Sequence, residues 1–158
     1  MKRLTAKDVM NREVLSVGPD WPIDRLADFL VENSISGAPV TSEDGKLVGV
    51  VSSTDIIRQE SMPGKELLSH RSPDYYLHEL EHQYAKEEMK SFRVSDMPLM
   101  SVRDIMTRRI FSVNEDTEIQ QVADSMIRGR IHRVFVTRKG KLTGIISALD
   151  MLQVIRDL

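Results

Sequence analysis

The chain repeats itself, and that repetition limits its folds more than any other feature. Asp8-Val9-Met10-Asn11-Arg12 returns as Asp104-Ile105-Met106-Thr107-Arg108, and Ser16-Val17 as Ser112-Val113. Ile23, Ala27 and Asp28 return as Ile119, Ala123 and Asp124. After a one-residue deletion, Gly45-Lys46-Leu47-Val48-Gly49 returns as Gly140-Lys141-Leu142-Thr143-Gly144, and Ser52 and Asp55 are matched by Ser147 and Asp150. The order is kept throughout, so one supersecondary unit occurs twice. A unit of about 50 residues is marginal alone, which calls for two copies sharing a core.

Each copy reads alike. Ile23, Leu26, Ala27, Leu30 and Val31 fall at helical spacing, as do Ile119, Val122, Ala123, Met126 and Ile127; both predict an amphipathic helix with one apolar face. Asp20 and Asp116 are placed as N-caps, and Pro22 suits a first helical turn. An apolar stretch at 38–41 or 134–137, a Gly-containing polar turn and a second stretch at 47–51 or 142–146 predict a hairpin. A second helix starts near Ser52 or Ser147, and a short leading strand is expected near Val14–Val17 or Ile110–Val113. The fold class is α/β (α+β), a pair of β-α-β-β-α units.

The repeats span 1–58 and 101–158. The insertion between them, 59–100, is punctuated by Met62-Pro63-Gly64 and Ser72-Pro73 and has a helix-forming stretch at 75–90. Its Tyr75, Tyr76, Leu77 and Leu80 would suit a lid or a partner-docking helix. The net charge of −2 conceals an uneven distribution: −2 over 1–58, −3 over 59–100 and +3 over 101–158. An acidic chain whose basic part has no aromatic cluster is a poor nucleic-acid binder. With no cysteine, disulfides, iron–sulfur clusters and thiolate chemistry are excluded. No apolar run approaches the roughly 18 residues that span a bilayer, and the charged start is unlike a secretory signal. A cytoplasmic protein without a membrane partner is expected.

The openings Asp8-Val9-Met10 and Asp104-Ile105-Met106, the middles Ser36-Gly37-Ala38-Pro39-Val40 and Ile131-His132-Arg133-Val134-Phe135-Val136, and the ends Gly49-Val50-Val51-Ser52-Ser53-Thr54-Asp55 and Gly144-Ile145-Ile146-Ser147-Ala148-Leu149-Asp150 together resemble a tandem pair of cystathionine-β-synthase (CBS) domains, a Bateman module. The resemblance covers roughly 4–58 and 100–157. It implies a pseudo-twofold pair with clefts between the copies, a regulatory role without catalysis, and an adenosyl ligand: AMP, ADP or ATP, with NAD or S-adenosylmethionine as further members of the class. No cofactor is required.

The two Ser-x-x-Asp strings sit where a strand passes into a helix. A helix N-terminus with a hydroxyl suits a phosphate, and a carboxylate can accept both hydrogens of a ribose diol. The same string is also a plain helix cap with an acid in the first turn. The resemblance assigns Ser36, Gly37, Ala38, Pro39, Ser52, Thr54 and Asp55, with Thr107 from the other copy, to one site. It assigns His132, Arg133, Val134, Ser147 and Asp150, with Asn11 and Arg12, to the other. Arg suits bidentate phosphate binding, and Arg128, Arg130, Arg108 and Arg109 thicken the basic patch. The second copy lacks the Gly-Ala-Pro string and has Leu149 for Thr54. Binding would act on an unidentified regulated protein or on a homodimer; a ligand-free dimerisation module is the alternative. His78-Glu79-Leu80-Glu81-His82 spells H-E-x-x-H, which on a helix sets two His on one face for zinc. The short polar insertion around it offers no evident third ligand, so His78 and His82 are weak metal candidates and a metal-dependent hydrolase a distant alternative.

Overall fold

The structure, a computed structural model, describes residues 3–61 and 100–158, of which residues 60 and 61 are described by backbone alone. The expected helix at 75–90 and the His78–His82 string lie outside them. The elements are α1 (Ala6–Val9), α2 (Ile23–Glu32), β1 (Gly37–Thr41), β2 (Leu47–Ser52), α3 (Ser53–Ser61), α4 (Val102–Ile105), β3 (Ser112–Asn114), α5 (Ile119–Gly129), β4 (Arg133–Arg138), β5 (Lys141–Ser147) and α6 (Ala148–Arg156). The class is mixed α/β, with a two-stranded sheet β1-β2 and a three-stranded sheet β3-β4-β5.

Two compact units form, and they cut the chain differently from the sequence repeats. Among the described residues, one comprises 15–43, 48–61 and 100–110; the other comprises 3–14, 44–47 and 111–158. The opening segment of each repeat is thus built into the unit that carries the body of the other.

In the first unit, α2 buries Ile23, Leu26, Ala27 and Leu30, the face predicted by the apolar spacing, while Val31 stays exposed. These side chains meet Ala38 and Val40 of β1, Val51 of β2, Ile56 of α3, and Val102, Ile105 and Met106 of the incoming segment. The leading strand is reduced to one parallel bridge, Val17 to Val40. Val17 N–H donates to the Pro39 carbonyl at 3.0 Å. Pro39 lacks an N–H of its own and is tolerated because β1 has a single full partner strand.

In the second unit, α5 buries Ile119, Val122 and Met126, which pack with Ala6, Met10, Ile131, Val134, Val136 and Ile146. Here the leading strand is complete. β3 runs parallel to β4, and β4 antiparallel to β5 through the hairpin turn at Gly140, whose φ of 80° favours glycine.

Neither expected N-cap is used. Pro22 and Glu118 occupy the caps of α2 and α5, without side-chain capping bonds. Asp20 instead accepts from Arg103 Nη2 at 3.0 Å, and Asp116 from Lys7 Nζ at 2.6 Å. Both cations belong to incoming segments. The hydrogen bond to Asp116 holds the Lys7 ammonium above its ordinary pKa.

The incoming segments are pinned by backbone. Thr107 N–H donates to the Val50 carbonyl at 2.8 Å, and Val50 N–H to the Thr107 carbonyl at 2.9 Å. Asn11 and Ile145 exchange the same pair of bonds at 2.8 and 3.0 Å. Approach this close needs glycine in the receiving strand. A Cβ on Gly49 would lie 2.7 Å from Met106 Sδ and 3.1 Å from the Thr107 carbonyl oxygen; on Gly144 it would lie 2.5 Å from Met10 Sδ and 2.9 Å from the Asn11 carbonyl oxygen. Gly144→Ala is therefore expected to lose about 1–3 kcal/mol by overpacking, read as a lower thermal midpoint in calorimetry. A midpoint equal to that of the parent chain would show that the segment is not held this closely.

Candidate functional site

Both candidate sets are assembled within single units. In the first unit, Ser36, Gly37, Ala38 and Pro39 form the loop into β1 and its first residues. Ser52 closes β2, Thr54 and Asp55 lie in the first turn of α3, and the Thr107 bridge lies two residues before Ser52 on the same strand. The loop is clamped to the helix start. Ser53 N–H donates to the Ser36 carbonyl at 2.8 Å, and Ser53 Oγ to the same oxygen at 3.2 Å.

The Ser-x-x-Asp string makes a reciprocal cap. Asp55 Oδ2 accepts from Ser52 N at 2.8 Å and from Ser52 Oγ at 3.2 Å, and Asp55 N donates back to Ser52 Oγ at 3.4 Å. Ala38, Ser52, Ser53 and Asp55 are all buried, Asp55 to 1% exposure. This set is tightly closed.

The second unit repeats the chemistry in the open. Ala148 N–H donates to the His132 carbonyl at 2.7 Å, the counterpart of the Ser53–Ser36 clamp. Asp150 Oδ2 accepts from Ser147 N at 2.7 Å and Ser147 Oγ at 2.9 Å, and Asp150 N donates to Ser147 Oγ at 3.2 Å. Here Ser147 and Asp150 are only half-buried, and His132, Arg133, Asn11 and Arg12 are exposed. Arg133 lies directly across the β4–β5 ladder from Ser147. It forms no ion pair among the described residues. Val134 is buried and serves the core, while Asn11 Oδ1 is engaged by the Glu13 N–H at 3.0 Å.

Chemically, the second set offers a guanidinium, a hydroxyl and a carboxylate around the start of one helix. The cap uses Asp150 Oδ2 and leaves Oδ1 outside those bonds. Positive helix-terminal partial charge and an unpaired guanidinium suit a phosphate; the carboxylate suits a diol. No group of three His, Asp or Glu that could hold a metal occurs among the described residues.

Sequence reasoning gave no role to Gly49, Gly144 or Ser53. The glycines recur at matched positions together with Met10 and Met106, which was the available signal. Ser53 has Ala148 as its counterpart, so the repeat offered none.

A family model for the CBS domain matches residues 6–61 and 102–157. The chain is 32% identical over 149 residues to an uncharacterized protein of Methanocaldococcus jannaschii, covering 93% of this chain and 88% of that one. Other curated relatives are longer, the chain spanning 32% and 54% of two of them. Among solved structures it is similar to CBSX2 in complex with AMP, with a TM-score of 0.65 and 22% identity over 97% of this chain and 96% of that one. It is also similar to the CBS domain pair of protein MJ0100 in complex with 5-methylthioadenosine and S-adenosyl-L-methionine, with a TM-score of 0.62 and 20% identity over 99% and 98%. At these identities the structural likeness shows the fold.

The two caps differ in burial and should differ in cost. Asp55→Ala strands the buried Ser52 N–H and is expected to lose about 1–3 kcal/mol. Asp150→Ala, at a wetter cap, should lose about 1 kcal/mol. Urea denaturation of both checks the order; a larger loss at Asp150 would contradict the contrast in burial.

Proposed function

The chain belongs to the CBS domain family as a tandem pair, and from that premise we propose that it is a regulatory module that binds an adenosyl ligand, AMP, ADP or ATP. Occupancy would be passed to a partner protein or to the chain's own assembly state. The observation that carries this reading is the cluster of exposed Arg133 with half-buried Ser147 and Asp150 at the start of α6, with Arg133 the cross-strand neighbour of Ser147. Two structurally similar CBS proteins bind ligands of this class: CBSX2 binds AMP, and the MJ0100 pair binds 5-methylthioadenosine and S-adenosyl-L-methionine.

In this proposal Arg133 and His132 face the phosphates, Asp150 Oδ1 accepts from the ribose hydroxyls, and Asn11 and Arg12 border the site. The Ser36–Pro39 loop, Ser52, Thr54, Asp55 and Thr107 form a second site. Its closed cap predicts weaker or later filling, because a ligand must compete with the Ser52–Asp55 bonds. NAD and S-adenosylmethionine present the same ribose and test the same carboxylate.

A specific observation favours a second reading, a dimerisation module. Helix α6 exposes Leu149, Leu152 and Ile155 to 68%, 58% and 63%, a face that a second copy could cover. In that reading the chain is a homodimer whose mass ignores ligand.

Isothermal calorimetry with AMP, ADP, ATP, NAD and S-adenosylmethionine separates the two, alongside solution mass with and without ligand. The expected result is saturable binding of at least one ligand, weakened about tenfold or more in Arg133→Ala for a phosphate-bearing ligand, a loss of the size a charge-assisted pair contributes. No binding to any of the five, with a constant dimer mass, would leave the dimerisation reading standing instead.

A further inference from the structure

We propose that the groove beside α2 is a docking site for a cationic segment of a partner protein, independent of any nucleotide. The groove has a volume of about 420 Å³ and is lined by Trp21, Pro22, Asp24, Arg25, Asp28, Phe29 and Glu32. Its wall is aromatic: Trp21 and Phe29 meet edge to face at 5.4 Å and 81°. The Trp21 ring already holds one guanidinium, that of Arg25, 3.8 Å from its centroid.

Asp24, Asp28 and Glu32 are spaced by four residues and stack on one face of the helix. Asp28 and Glu32 form no ion pair among the described residues, and like charges at this spacing destabilise a helix. An incoming Lys or Arg would relieve that repulsion and find an aromatic wall for its stem.

The duplicated fold supplies its own control. The seven matching positions on α5 and before it are Thr117, Glu118, Gln120, Gln121, Asp124, Ser125 and Arg128, and Glu118 is paired with Arg3 at 2.8 Å. There the aromatic pair is gone, and Asp124 is neutralised by Arg128 at 2.9 Å. The helix therefore folds without the groove; Trp21 and Phe29 also pack against the first core, whereas the exposed Asp28 and Glu32 take no part in it. Net negative charge on an aromatic-walled groove selects a cationic occupant over an acidic or neutral one.

Trp21 is the only tryptophan in the chain, so its emission reports on this groove alone. The experiment is a fluorescence titration of the full chain with pentaarginine at low salt, and with pentaglutamate as the opposite charge. The expected result is a saturable change with pentaarginine only, with a midpoint raised at least fivefold in Asp28→Asn/Glu32→Gln and unchanged in Glu13→Gln/Glu43→Gln, which removes exposed acids elsewhere. No change in emission, or equal shifts in both double variants, would overturn the proposal. So would self-association without peptide that Asp28→Asn/Glu32→Gln abolishes, since the occupant would then be a second copy. Circular dichroism of both variants, matching the parent chain, establishes that each is folded.

Discussion

A pair of reciprocal backbone bonds, made twice, organises this molecule: Thr107 with Val50 and Asn11 with Ile145. Each ties a short opening segment to a strand that the other repeat supplies. The segments could not hold their shape alone, because helices of four residues lie far below the length at which an isolated helix persists. What fixes them is burial of Ala6 and Met10 in one core and of Val102, Ile105 and Met106 in the other. Matching caps close their starts, Thr5 with Asp8 and Ser101 with Asp104. The bonds place Asn11 and Thr107 within their candidate sites, and they depend on glycine where a side chain would collide.

Much of the local structure was legible. The apolar spacing of α2 and α5 marked the buried faces, and the Gly-containing turns marked the hairpins. Which body receives which opening segment was legible only through the family resemblance, which set Thr107 beside the first copy and Asn11 and Arg12 beside the second, because periodicity reports the face a residue shows and not the partner it meets. The same blindness explains Asp20 and Asp116. Read locally, each looks like a cap; in the fold, Arg103 and Lys7 arrive from far along the chain and take them as ion-pair partners. The exposure of Val31 and Ile127, at the end of each apolar stripe, is a further case where spacing alone overextended the buried face.

The Ser-x-x-Asp strings show how one motif can serve two ends. Both are caps, as the conservative reading held, and the cap does not preclude a ligand role where one carboxylate oxygen stays outside it. What separates the copies is the surroundings. Around Asp55 the chain closes over the polar groups; around Asp150 it leaves them half in water beside the exposed Arg133 guanidinium. A duplicated fold has thus kept its scaffold in both halves while its surface chemistry has diverged. The aromatic, acidic flank of α2 against the charge-balanced flank of α5 follows the same pattern.

The exchange of opening segments also sets the order in which the molecule can mature. A nascent chain carries residues 15–58 well before Val102, Ile105 and Met106, so the first core stays unfilled until nearly two-thirds of the chain has been made. The opening residues must wait longer still, for strands that end at Ser147. The first unit can close only once residue 110 has been made and the second only near the end of synthesis, and contacts this distant in sequence slow folding. The two copies are therefore obligate companions: losing either one from the gene would leave the survivor without the segment that completes it.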